Sequence, residues 1–166
     1  MHRLLLALLA LSLAAPAAAQ TNPPAVERAT HALGALWRPL EGPISEASIT
    51  TACAGAVEEM NAVAAALPAD LSPANLARVR PEHGLLIVPA DAAGFAYFFP
   101  PASLSWFSPG LGAVTVLDEA QGLIGAQDAE GHTFVLQLGH AGQRAVLRVR
   151  PPQGALATYV GCAQAS

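Results

Sequence analysis

The chain has 166 residues, with eight basic against twelve acidic side chains and a formal net charge of −4. That balance argues against non-specific nucleic-acid binding, which needs a basic surface, and against charge-driven docking on anionic lipid. All eight cations are arginine, and the length suits one domain with a real core.

Residues 1–19 read as a targeting segment. His2 and Arg3 make a short basic start, Leu4 to Ala15 is apolar apart from Ser12, and Ala17-Ala18-Ala19 supplies the small residues a signal peptidase reads. Cleavage is expected after Ala19, leaving Gln20 first and the product one unit more acidic. The apolar run is shorter than the roughly 20 residues a membrane span needs. No later stretch is long and apolar enough either, so no transmembrane segment is expected in the mature chain. The expected location is the periplasm or the extracellular space. Residues 20–166 are expected to form one domain, with a helical part over 24–80 and a β part over 84–162.

Ala25 to Arg38 carries Val26, Ala29, Leu33, Leu36 and Trp37 on a helical repeat, which predicts a first helix. Between Pro43 and Pro68 the spacing predicts a second, longer helix over Ile44–Leu67. With Ile49 at zero on a wheel of about 100° per residue, Cys53, Ala56, Val57, Met60, Val63, Ala64 and Leu67 fall in one sector about 120° wide. Glu58 lies opposite, and Glu46, Glu59 and Asn61 fall outside the stripe. Ser45 is the expected N-cap and Pro68 the stop. Cys53 then faces the core, and in an exported chain its expected partner is the other cysteine, Cys162, in a disulfide. Ser72-Pro73 predicts a short third helix ending near Arg80.

From Gly84 the period changes to that of strands. Strands are predicted over 85–88, 95–99, 113–117, 123–127, 132–138, 145–150 and 156–161, most of them joined by short polar turns. Such strands pair as antiparallel neighbours. The predicted fold is α+β: two to three N-terminal helices packed on one face of an antiparallel meander sheet of about five to seven strands.

Three features invite a functional reading. Phe95, Tyr97, Phe99, Trp106 and Phe107 form an aromatic cluster that includes the loop 100–112, and long loops bearing aromatics are often functional. Packing in the core is the competing reading. Arg144, Arg148 and Arg150 alternate with Ala145, Leu147 and Val149 along one strand, giving either a solvated outer face or an anion patch. The histidines show no metal-ligand spacing, so no metal is expected. No nucleophile elbow, phosphate-binding glycine loop or dinucleotide fingerprint is present, and no catalytic residue or cofactor is assigned. Glu58-Glu59 reads as solvated charge.

The expectation is a secreted or periplasmic, non-catalytic binding module. A small apolar ligand or an envelope protein is its expected partner, at residues 95–112. Two other classes compete: a hydrolase-type enzyme whose site leaves no motif, and a structural or inhibitory factor of the cell envelope.

Overall fold

Leu36 and Trp37 stand on opposite faces of an extended segment rather than on a helical repeat, and this one difference changes the architecture. The computed structural model describes residues 22–69, 75, 79, 81–91, 94–98, 110–150 and 155–164. The first helix, α1 (Pro23–Leu33), ends at Gly34, and the next five residues are strand β1 (Ala35–Pro39). Helices α2 (Glu46–Ala52) and α3 (Ala56–Ala66) follow. Then come β2 (Leu85–Pro89), β3 (Gly94–Phe98), β4 (Gly110–Asp118), β5 (Leu123–Asp128), β6 (Thr133–Ala141), β7 (Arg144–Arg150) and β8 (Ala157–Gln164).

These eight strands form a closed antiparallel barrel in chain order. β1 pairs with β2 through Ala35–Ile87 and with β8 through Arg38–Val160, so the first and last strands seal the sheet. The expected α+β layer of helices on an open sheet of five to seven strands is therefore corrected to a barrel. The missing piece was β1. It is short, and Ala35, Leu36 and Trp37 are buried on both of its faces, so it lacks the alternation that marks a half-buried strand. Its apolar run continues the helical repeat of α1 by coincidence. Each strand predicted from Gly84 onward corresponds to one of β2–β8, and each adjoining pair is antiparallel as expected.

The long helix predicted over 44–67 is likewise two helices. Gly55 takes a left-handed backbone (φ +69°) and starts α3 in a new direction. Ser45 caps α2 as expected, its hydroxyl accepting from the Ser48 N–H. The helix predicted over 72–80 lies outside the described residues except for Asn75, which is helical, and Val79, which is buried.

Two apolar cores follow from this wall. Inside the barrel, Trp37, Leu85, Ile87, Phe95, Tyr97, Phe134, Leu136 and Leu147 interdigitate. Outside it, α3 lays Ala56, Met60 and Val63 on Leu36, Leu86, Ala96 and Phe98. α1 closes one end of the barrel. Leu33 joins the interior cluster, and the indole N–H of Trp37 donates to the Leu33 carbonyl at 2.8 Å. Arg28 of α1 reaches Glu119 in the β4–β5 turn at 2.9 Å.

Apolar side chains point inward while Arg144, Arg148 and Arg150 are exposed outside, the reverse of a membrane-spanning barrel. Among the described residues no helix is long and apolar enough to cross a membrane. Cys53 and Cys162 form the expected disulfide, with 5.1 Å between their Cα atoms. It joins the C-terminal end of α2 to β8, and it fits an oxidising compartment.

Candidate functional site

A barrel of eight strands is just wide enough for side chains to fill it or for one small ligand to enter. Here side chains fill it. A void among Leu85, Phe95, Tyr97, Phe134 and Val149 measures about 10 Å³, room for a single water at most. Phe95 and Tyr97, expected as part of a binding surface, are buried in this lumen. Their rings lie 6.2 Å apart, and Phe134 meets both edge-on at 6.1 and 5.6 Å. Burial, reinforced by Asp128 and Glu130, pushes the Tyr97 hydroxyl up to about 12. Phe99, Trp106 and Phe107 lie outside the described residues.

The mouth opposite α1 holds Asp128, Glu130 and His132, whose ligand atoms lie within 4.8 Å of one another. Asp128 Oδ1 accepts the N–H groups of Glu130 and His132 at 2.9 and 2.8 Å, and Oδ2 meets His132 Nδ1 at 3.0 Å. Burial raises the Asp128 carboxyl, but these bonds and the His132 charge outweigh it and hold the group below its usual value. The arrangement is accounted for by closure of the β5–β6 turn. The three outward arginines of β7 stand in one exposed row, as the alternation predicted.

A large opening lies outside the barrel, between α2, α3 and the facing ends of β1 and β2. It is a cleft of about 830 Å³, lined by four alanines and Gly55 from the helical segment and by Arg38, Glu59 and His83. Arg38 Nη2 meets Glu59 Oε2 at 2.7 Å, with the two side chains only 8% and 10% exposed. The other oxygen, Oε1, accepts the His83 backbone N–H at 3.0 Å, and His83 Nδ1 stands 3.4 Å from Oε2. Arg38 Nε is buried without a hydrogen-bond partner. Such a donor is costly in a protein interior unless something binds it. Glu58 and Glu82 also line the cleft, so it is acidic overall.

Local sequence builds this placement. Arg38 alternates with Trp37, one outside the barrel and one inside. Gly84 has φ +93°, and a Cβ there would stand 2.1 Å from the Trp37 carbonyl oxygen. The chain therefore runs against β1 at this point, which sets His83 beside Glu59. The sequence pattern does not mark Arg38, Glu59 or His83 as site residues. One signal was available: in α3 taken alone, Ala56, Glu59, Met60 and Val63 follow the i, i+3, i+4, i+7 pattern of a buried stripe. A carboxylate in that stripe calls for a buried cation. Val57 and Ala64 obscure it: both are apolar yet exposed, and counting them in the stripe moves its centre away from Glu59.

No family model, curated protein or solved structure matches this chain.

Proposed function

We propose that this protein is an exported, non-catalytic binding module whose recognition site is the cleft between α2–α3 and β1–β2 rather than the barrel lumen. Export rests on the basic, apolar and small-residue pattern of residues 1–19 with cleavage after Ala19, and the Cys53–Cys162 disulfide supports it. The observation that carries the binding reading is the contrast between the two spaces. The lumen is full, whereas the cleft is open, with small apolar lining beside the Arg38–Glu59 pair and the exposed His83 ring. Pockets of several hundred Å³, mostly apolar with a few convergent polar groups, are the usual form of ligand sites. The ligand this chemistry favours has an apolar body and a hydrogen-bonding group for the exposed His83 ring. It is a small molecule or an apolar segment of an envelope protein. A strongly anionic ligand is disfavoured by Glu58, Glu59 and Glu82.

Native mass spectrometry of the protein isolated from its own compartment tests this. Ala62 is exposed and lines the cleft, so Ala62→Trp obstructs it while keeping both members of the ion pair. The expected result is a bound species on the parent protein that Ala62→Trp loses. A bound species retained by Ala62→Trp would place recognition elsewhere.

The hydrolase reading has one observation in its favour, the contact between Glu59 and His83, since a carboxylate that orients a histidine is a general-base arrangement. Thr51 is the hydroxyl side chain among the described lining residues. If this reading holds, ester or amide substrates are turned over by the parent protein and not by His83→Ala.

A further inference from the structure

Among the described residues, the helices leave one side of the barrel bare. α3 covers the outer side of β1–β3, and α2 and α3 both contact β8. The outward positions of β4–β6 include Leu111, Val116, Gly125, Val135 and Gln137, and no charge occurs among them until Asp118 at the end of β4. Val116 and Val135 are 51% and 42% exposed. Exposed apolar residues grouped on one face mark interaction sites more often than isolated ones do.

The register gives this face a pattern. Gly125 pairs with Val135 across β5–β6 and with Val116 across β4–β5, so a glycine gap lies between two valine ridges. One step along, Asp118 pairs with Leu123, Leu123 with Gln137, and Gln137 with Arg148. A negative charge thus begins this row and a positive one ends it.

We infer that this face is a self-association surface that takes a second copy of the chain. A twofold axis parallel to the strands, midway between β5 and β6, exchanges those two strands and keeps every height along them. It sets the Val135 of each copy over the Gly125 gap of the other. The same operation sets Arg148 of each copy over Asp118 of the other, twice. An axis perpendicular to the strands instead stacks β7 on β7 and sets arginine against arginine. Arg150, the β7 partner of Val135, comes over Val116 of the other copy with its aliphatic stem on the valine, and the opposite charges of Asp118 and Arg148 select one isologous arrangement. The barrel wall is convex, so contact centres on β5–β6 and the longer arginine side chains reach across the widening gap. The interface is small, and association is concentration-dependent, with a dissociation constant on the order of micromolar.

Sedimentation equilibrium of the purified full protein, over roughly 1 to 500 μM, tests this. The mass is expected to rise from one chain to two. Val135→Arg, at an exposed position, should hold it at one chain throughout. Arg148→Asp should weaken association at least about tenfold, and Asp118→Arg with Arg148→Asp should restore it. A parent protein that stays at one chain across the range overturns the proposal and leaves the face to a different protein. So does a Val135→Arg variant that associates like the parent, or an exchanged pair no stronger than Arg148→Asp alone.

Discussion

Arg38 on β1 and Glu59 on α3 pair at 2.7 Å where both side chains are almost wholly shielded from water, and the pair pins α3 to the barrel wall. Its value lies less in Coulomb attraction than in the cost of breaking it. Removing one partner of a buried pair strands the other charge, at about 3–5 kcal/mol, whereas replacing both by apolar groups is often neutral. Glu59→Gln is therefore expected to lower the unfolding free energy by several kcal/mol in urea titrations. Arg38→Met with Glu59→Leu should recover most of that loss.

The disulfide closes a span of 109 residues. The loop-entropy relation gives about 4–5 kcal/mol for a loop of this size, an upper figure because the reduced chain keeps some structure. No residue of α2 is buried, so the covalent tie is its main anchor. In Cys53→Ala with Cys162→Ala, hydrogen exchange should accelerate first in residues 46–53, with the barrel strands still protected.

Gly84→Ala joins two penalties, a left-handed backbone and a Cβ driven into the Trp37 carbonyl. The expected destabilisation is at least about 2–3 kcal/mol. The shift of the β2 entry should also move His83 away from Glu59, visible as a changed His83 imidazole resonance.

Tyr97 sets the alkaline limit. Its folded-state value, about 12, lies above the ordinary 10, so the unfolded chain loses this proton first as pH rises. Its contribution to stability is complete below pH 10 and is lost between about 10 and 12, at up to about 1.4 kcal/mol per pH unit. Tyr159, raised by burial, acts in the same direction. Tyr97→Phe should flatten the fall in the unfolding midpoint measured between pH 9 and pH 11.5.

The strands from Leu85 onward were legible because polar turns punctuate them and β7 alternates openly between arginine and apolar residues. The disulfide was legible from compartment and count. β1 was not, because a strand buried on both faces has no period to read, and without it a closed barrel looks like an open sheet. The candidate site failed for a related reason. Glu59 falls outside the apolar sector because Val57 and Ala64, apolar but exposed, pull its centre away, and Arg38 sits at the end of the repeat that predicts the first helix. Both features are local, yet together they obscure the buried ion pair of Arg38 and Glu59.

The most direct measurement is photo-crosslinking in the exporting cell, with a benzophenone side chain at position 62 and, as control, at position 57. Ala62 lines the cleft, and Val57 is exposed on the same helix outside it. A light-dependent adduct at position 62 that is absent at position 57 is the expected result. No adduct at position 62, or the same adduct at both positions, would contradict the assignment of this cleft as the recognition site.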